Sequence, residues 1–154
     1  MKLFFPGSFD PFTIGHANLV ERALKLGAEV VIAIGINGEK SPVFSVEMRL
    51  EAIRSYYKDN PMVSVITYDG LTVDAVRQCG ADAILRGIRS VTDYDKERNL
   101  AYINRSIDGV ETVILVADQA MQHVSSSLVR EMMAFGRPVD NLIIETFKQY
   151  IKKI

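Results

Sequence analysis

The stretch that decides the fold is residues 5–16, FPGSFDPFTIGH, which continues a short apolar run beginning at Lys2. Its two prolines and two glycines indicate a fixed, tight loop that leads from a strand into a helix. The glycines also remove side chains at points where a ligand could approach the backbone. His16 falls in the first turn of that helix, where peptide N–H groups and the helix dipole favour an anion. The pattern alone predicts an anion site, although a merely packed or solvated His16 would fit it as well.

Four further apolar runs follow this first strand, and all are β-branched and short. They are residues 29–36, 63–68, 83–85 and 111–116. Because they are apolar on both faces, they are typical of strands in a buried parallel sheet. Alternation with helical stretches implies right-handed crossovers. The sequence therefore predicts a single α/β domain over 1–154, a three-layer Rossmann-like doubly wound fold with a five-stranded parallel sheet. Ligands in such folds bind beyond the carboxyl ends of the strands.

The helical stretches are marked by apolar residues at a period near 3.6 and by terminal capping residues. The first ends before Gly27, and the second begins after Ser45. The others are expected at residues 71–79, 92–106, 125–135 and 140–154. Leu100, Ile103 and Ile107 form one apolar face on the fourth of them.

Charge and composition exclude several classes of protein. The net charge is −1, from 18 Lys and Arg against 19 Asp and Glu, whereas nucleic-acid-binding domains usually show a basic excess. We therefore expect a small phosphorylated ligand and no nucleic acid. No apolar run approaches the ~20 residues that a membrane helix needs, so no membrane association is expected. Cys79 is the only cysteine, which agrees with a reducing compartment, and the cytoplasm is the default location.

Three more segments carry residues that suit phosphate. Residues 86–89, RGIR, place two arginines at a strand end, where their planar forks can bind oxygens bidentately. Residues 125–127 are three serines at a helix start; capping explains one of them, and the others could hold an anion. Lys40 follows the second strand. These segments would also fit non-functional roles: solvated arginines, a serine that caps the helix, and a solvated lysine.

The motifs together resemble those of a known family. GSFDP followed by TIGH, within residues 7–16, resembles the signature of the nucleotidyltransferase superfamily. The block RGIRSVTDYDKE with LAYINR, within residues 86–105, resembles the phosphopantetheine adenylyltransferases, as does VSSSLVRE at 124–131. The resemblance implies transfer of an adenylyl group from ATP to 4′-phosphopantetheine, forming dephospho-coenzyme A and pyrophosphate.

The resemblance also implies roles for individual residues. It assigns catalysis to His16, Lys40 and Arg89, and phosphopantetheine binding to Ser8, Lys40, Thr72 and Arg86. It assigns ATP binding to Ser8, Phe9, His16, Gly87, Ile88, Arg89, Glu97, Met121, Gln122, His123, Val124, Ser125, Ser126 and Ser127. Glu97 would hold a ribose hydroxyl or orient an arginine. The loop at 118–123 departs from the family pattern, and its His123 fits a surface position better than a catalytic one.

The implied chemistry needs no general base, because a phosphate monoester has a second pKa near ~6 and is already an anion. Catalysis then depends on holding two polyanions in line. Mg²⁺ should be carried with ATP, since no His, Cys and carboxylate cluster offers a dedicated metal site. The resemblance further leads us to expect a homohexamer and feedback inhibition by coenzyme A.

Three rival functions share parts of the pattern. A cytidylyltransferase would share the first motif, but its RTEG element is absent. A nicotinate-mononucleotide adenylyltransferase usually carries HxGH, whereas Thr13 stands first here. A catalytically silent nucleotide sensor on the same fold is the rival from another class.

Overall fold

A computed structural model describes residues 1–36 and 41–151, so Lys40 lies outside the described residues. Five strands form one sheet: β1 Lys2–Gly7, β2 Glu29–Gly35, β3 Val63–Tyr68, β4 Ala83–Ile88 and β5 Glu111–Val116. All strand pairs are parallel, and their order is β3-β2-β1-β4-β5. The predicted α/β fold is confirmed. The order reverses between β1 and β4, which is where doubly wound sheets bind ligands.

Within the described residues, four helices connect these strands and two more follow β5; the first five lie where the sequence predicted helices. They are α1 Ile14–Lys25, α2 Val46–Tyr56, α3 Thr72–Gln78, α4 Val91–Asp108, α5 Ser126–Ala134 and α6 Lys148–Ile151. Ser45 caps α2, as predicted, because its side chain accepts a hydrogen bond from the N–H of Met48 at 3.2 Å. None of the helices in the described part of the chain has the length and apolarity that a bilayer crossing needs.

Strand β1 runs two residues farther than the apolar run suggested, through Pro6 to Gly7. It pairs with β2 along its whole length. With β4 it pairs only at Leu3 and Phe4. Proline has no N–H to donate, so it is tolerated here, where β1 has no ladder partner on the β4 side. The two central strands therefore part beyond Phe4, and a cleft opens between their carboxyl ends.

The prediction of a single helix over residues 140–154 is wrong. Instead, Ile143 forms an isolated antiparallel bridge with Thr13, and only a short 3₁₀ turn and α6 follow. Ile143, Phe147 and Tyr150 are all buried. Their helical spacing therefore reflects the burial of these three side chains. The segment that contains Ile143 is extended and packs against the start of α1. Residues 152–154 lie outside the described residues.

The core lies on both faces of the sheet, as the alternation along β1 shows. Leu3 and Phe5 join the larger apolar cluster, whereas Phe4 points to the opposite face and joins the smaller one. Helix α4 differs from the other long helices, because its only buried residue is Glu97. Its apolar face is exposed at Ile103 and Ile107, each more than half accessible.

Candidate active site

Two cavities flank the cleft at the carboxyl edge of the sheet. The α3 cavity has a volume of about 500 Å³ and is lined by Thr72 and by residues of β3 and α4, among others. The α5 cavity has a volume of about 400 Å³ and is lined by His16, Arg89 and the start of α5, among others. They share one wall, formed by Pro6, Gly7, Ser8, Arg86 and Glu97. Groups bound in the two cavities would therefore both contact this wall and lie next to each other.

An ion pair builds most of the shared wall. Arg86 donates from Nε and Nη2 to the two carboxylate oxygens of Glu97, each at 2.6 Å. Its Nη1 donates to the carbonyl oxygen of Pro6 at 2.9 Å. The guanidinium thus bridges β4 to β1 at the level where the strands have parted. Both oxygens of Glu97 are committed to this arginine, so the carboxylate orients Arg86, one of its two expected roles.

His16 is fixed by the backbone at the start of α1. The side chain of Thr13 accepts a hydrogen bond from the N–H of His16 at 3.4 Å, and the N–H of Thr13 donates to His16 Nδ1 at 3.0 Å. This reciprocal capping box makes Nδ1 an acceptor. The proton of the neutral imidazole therefore resides on Nε2, which remains available as a donor.

Three aromatic rings surround the imidazole. The ring centroids of Phe9, Phe12 and Phe5 lie 5.1, 5.2 and 6.1 Å from that of His16. Burial in this aromatic cage, reinforced by the positive charges of Arg89 and Arg86, lowers the pKa of His16 to about 4. At neutral pH, His16 is therefore an uncharged hydrogen-bond donor on the wall of the α5 cavity.

Arg89 also lines the α5 cavity. Its Nε donates to Asp93 at 3.0 Å, and its Nη1 donates to the carbonyl oxygen of Val124 at 3.3 Å. Burial acts to raise the pKa of Asp93, but hydrogen bonds from the side chain and backbone of Arg89 outweigh it and leave that pKa lowered. The arginine is consequently held between α4 and the segment before α5.

Gly87 brings α1 close to the end of β4. A Cβ atom at this position would overlap Cδ1 of Leu19, so any side chain would force Leu19 to shift. This close packing lies between α1, which carries His16, and β4, which carries Arg86. The glycine is required for space, since its backbone has no unusual φ angle.

The three serines before and within α5 have separate contacts. Ser125 caps the helix by accepting from the N–H of Leu128 at 3.1 Å. Ser126 donates its hydroxyl to the carbonyl oxygen of Pro11 at 2.8 Å, which ties α5 to the first loop. Ser127 is exposed, and its hydroxyl accepts a hydrogen bond from Nη2 of Arg130 at 3.3 Å. The hydroxyl of Ser127 and the N–H groups of the first turn are thus best placed for an anion.

The structure brings together many, though not all, of the predicted site residues. Those lining the α5 cavity are Ser8, Phe9, His16, Arg86, Gly87, Arg89, Glu97, Met121, Val124, Ser125, Ser126 and Ser127. Ser8, Thr72, Arg86 and Glu97 line the α3 cavity. Ile88, Gln122 and His123 line neither, and the last two are exposed.

Sequence reasoning missed several residues that line the cavities. Arg130 lines the α5 cavity and donates from Nη1 to the carbonyl oxygen of Asp10 at 2.7 Å. Asn104 lines the α3 cavity together with Leu100 and Glu97. Helical spacing could have found both, because Arg130 follows Ser127 by three positions, and Glu97, Leu100 and Asn104 share one face of α4.

The donor groups of the site decide how it could hold a metal ion. Among residues 1–36 and 41–151, no group of three or more His, Cys, Asp or Glu side chains is placed to hold one. The two carboxylates in the cavity walls, Asp93 and Glu97, each bind an arginine. A divalent cation here would take most of its oxygen ligands from a bound phosphate compound.

The chain is similar in sequence to a family of known proteins. The cytidylyltransferase-like family model matches residues 4–132. A phosphopantetheine adenylyltransferase of Porphyromonas gingivalis is 54% identical over 143 residues, covering 93% of this chain and 94% of the relative. Proteins of the same name from Bacteroides thetaiotaomicron and Flavobacterium psychrophilum are 46% and 42% identical, with at least 94% of each chain covered.

A solved structure supports the fold independently. A bifunctional NMN adenylyltransferase/ADP ribose pyrophosphatase from Francisella tularensis superposes with a TM-score of 0.73 at 16% identity. The match covers 99% of this chain but 48% of that longer one. At this identity the likeness concerns the fold alone.

Proposed function

The chain belongs to the cytidylyltransferase-like family, as one of its phosphopantetheine adenylyltransferases, and on this premise we propose how its two cavities perform the reaction. The enzyme transfers the adenylyl group of ATP to 4′-phosphopantetheine and releases pyrophosphate, a step of coenzyme A biosynthesis. The observation that carries the mechanism is the wall shared by the α3 and α5 cavities. It allows two phosphate compounds to approach each other while each is held separately.

ATP occupies the α5 cavity in this proposal. The start of α5, Arg89 and the Nε2–H of His16 all line it, and together they suit a triphosphate. The acceptor occupies the α3 cavity. Its walls combine apolar and hydrogen-bonding groups, such as Leu100, Tyr68 and Asn104, which suit an arm made of amides and methyl groups.

The acceptor phosphate is the nucleophile. One of its oxygens forms a bond to the α-phosphorus of ATP, while the bond from that phosphorus to the bridging oxygen of the β-phosphate breaks. Pyrophosphate leaves with the electron pair. A phosphate monoester is largely a dianion near neutral pH, so no side chain has to remove a proton. The protein contributes alignment and electrostatic stabilisation.

Arg86 holds the acceptor phosphate at the shared wall. A guanidinium has five N–H donors, and three of them bind Glu97 and Pro6. Two remain for phosphate oxygens, in an orientation set by the other three. His16 and Arg89, which line the α5 cavity, serve the α- and β-phosphates. Lys40 keeps its predicted role beside the reacting phosphates, and Thr72 its role in acceptor binding.

Mg²⁺ accompanies ATP in this proposal. It would neutralise part of the triphosphate charge and rest mainly on phosphate oxygens, because Asp93 and Glu97 are committed to arginines. The protein residues bind, align and exclude water around the nucleotide.

The enzyme is further proposed to assemble as a homohexamer. Support comes from α4, where Tyr102, Ile103 and Ile107 are 64%, 52% and 54% exposed. Clustered apolar side chains of this size usually mark an interface. Light scattering coupled to size-exclusion chromatography should give six times the chain mass. Ile103→Glu should yield smaller species; a wild-type monomer at micromolar concentration would contradict the assembly.

Coenzyme A is proposed as an inhibitor, because it carries both a pantetheine arm and an adenine nucleotide. A molecule that spans both cavities would compete with both substrates. The cytoplasm remains the proposed compartment, and the free thiol of Cys79 fits a reducing environment.

The test of the function is pyrophosphate release with paired substrates. Wild-type protein with ATP and 4′-phosphopantetheine should release pyrophosphate, whereas CTP in place of ATP, or nicotinate mononucleotide in place of the acceptor, should give little. Turnover with either replacement instead would favour a rival transferase. Tight ATP binding without turnover under all conditions would favour a silent sensor.

A further inference from the structure

We propose that Arg49 and Asp10 are positioning residues that together fix the peptide between Ser8 and Phe9 for the transfer step. The inference rests on the proposed function, because its readout is adenylyl transfer. Neither side chain lines either cavity. Both therefore act through the backbone of the first loop.

Arg49 reaches from α2 to the first loop. It is 3% exposed, and its Nη1 donates to the carbonyl oxygen of Ser8 at 2.6 Å. Its Nε donates to the carbonyl oxygen of Ser45 at 3.2 Å. Among the described residues, no carboxylate forms an ion pair with it. Burying a charged side chain costs free energy unless the charge is paired and hydrogen-bonded. A buried arginine that binds two backbone carbonyl oxygens is therefore uncommon.

Asp10 reaches in the opposite direction. It is 6% exposed, and its two carboxylate oxygens accept hydrogen bonds from the N–H groups of Val43 and Phe44 at 2.9 and 2.8 Å. Each partner thus binds the backbone of the other's segment. Burial lowers the pKa of Arg49, while the negative charge of Asp10 opposes that shift, so the two charges support each other. We call this pair of contacts the reciprocal brace.

The reciprocal brace sets the direction of one backbone donor. In a trans peptide, C=O and N–H point in opposite directions, so tying the oxygen of Ser8 to Arg49 aims the N–H of Phe9 away from α2. Phe9 has a φ of 48°, in the left-handed region that a bulky residue adopts only when its surroundings require it. Its ring packs over Gly7, where a Cβ would lie 2.8 Å from it. Among the described residues, the N–H of Phe9 has no partner.

This unpartnered N–H belongs to a residue on the wall of the α5 cavity. A donor held in advance toward a transferring phosphoryl group stabilises the charge that develops there without reorganisation. Loosening the brace should therefore reduce the rate of the chemical step more than it weakens ATP binding.

The experiment compares Arg49→Met, Asp10→Asn, the double variant and Arg54→Met. Arg54 is the matched control, because it also lies on α2 and donates its guanidinium to a backbone oxygen, that of Val65, away from the site. We expect kcat to fall about 10- to 100-fold in each single variant of the brace, with KM for ATP changed by less than about 3-fold. The double variant should be about as slow as the slower single variant. Arg54→Met should keep wild-type kcat.

Thermal unfolding of each variant separates misfolding from misplacement, and rates are expressed per folded protein. If Arg49→Met does not fold, Arg49→Leu, which also lacks an N–H donor, replaces it; a wild-type kcat in that variant would overturn the inference. So would equal effects of Arg49→Met and Arg54→Met, a loss confined to KM, or losses that multiply in the double variant. A wild-type enzyme without turnover overturns the proposed function and this inference together, whereas an active wild type with an unaffected brace overturns this inference alone.

Discussion

Two sets of residues that line the α5 cavity, which we call the His16 side and the arginine side, treat charge in opposite ways. On one side, His16 sits among three phenylalanine rings and is kept neutral, with a pKa of about 4. On the other, Arg86 and Arg89 are permanent cations, and each is bound by a carboxylate. One side offers an oriented dipole among aromatic rings, and the other offers full charges that are already partly compensated.

The difference shows how one pocket can hold a polyanion and still release it. Unpaired cations on both sides would bind the ground state tightly, which lowers KM without raising kcat. A neutral donor in an aromatic cage adds little attraction at a distance, but it responds to charge that develops beside it. We therefore expect substitutions on the His16 side to affect kcat, and substitutions on the arginine side to affect substrate binding as well.

The largest expected effect comes from removing the neutral donor. His16→Ala should lower kcat about 10²–10³-fold, because one preorganised donor at the transferring phosphate disappears. Steady-state pyrophosphate release measures it. His16→Gln, whose amide can place an N–H near the position of Nε2, should keep more activity than His16→Asn. Equal activities of these two variants, or retained turnover in His16→Ala, would show that a neutral donor at the position of Nε2 does not drive the reaction.

The next effect comes from disturbing the arginine side at its anchor. Glu97→Gln leaves an amide N–H facing the Arg86 fork, so the guanidinium can no longer be held by two oxygens. We expect kcat/KM for 4′-phosphopantetheine to fall about 10²-fold, with a rise in the KM for the acceptor. Asp108→Asn is the control, because Asp108 pairs with Arg77 on the surface away from both cavities. Its turnover should equal that of the wild type.

The pH dependence of stability sharpens the comparison on the His16 side. Below pH 6.5 the unfolded chain protonates this histidine, whereas the folded chain does not until about pH 4. The free energy of unfolding should therefore decrease as pH falls from 6.5 toward 4, by up to about 1.4 kcal/mol per pH unit from this group. Denaturant titrations of wild type and His16→Gln measure it. Parallel curves for the two proteins would show that the imidazole is not kept neutral.

The smallest effect is expected from the outer ion pair. Asp93→Asn removes the carboxylate that binds Arg89, but the contact of Arg89 with Val124 remains. KM for ATP should change about 3- to 10-fold, with a modest change in kcat and a stability change within about 1 kcal/mol for a partly exposed pair. ATP affinity by calorimetry checks the result. A loss as large as that of His16→Ala would place the main stabilisation on the arginine side.

Much of the fold was predictable because its signals are local. Strands apolar on both faces, the cap at Ser45 and the loop of residues 5–16 each depend on neighbours in sequence. The prediction for residues 140–154 failed because the spacing of Ile143, Phe147 and Tyr150 reflects burial. An extended segment with a bridge from Ile143 to Thr13 buries residues as well as a helix would. Periodicity reports which residues are covered and leaves open which conformation covers them.

The membership of the site was easier to predict than its internal contacts. Residue types at the carboxyl ends of strands pointed to His16, Arg86 and Arg89. That Glu97 binds Arg86 with both oxygens depends on how α4 crosses the end of β4, which no local pattern encodes. The low pKa of His16 likewise requires three rings and two arginines that only the folded chain assembles.

The parting of β1 from β4 beyond Phe4 limits how this protein can diverge over time. Because one wall borders both cavities, a substitution in that wall should affect the binding of both proposed ligands. Changes of substrate preference should accumulate instead on outer surfaces that touch one ligand, such as those around Thr72 or Met121. The split in the sheet thus separates positions that line one cavity from positions that line both.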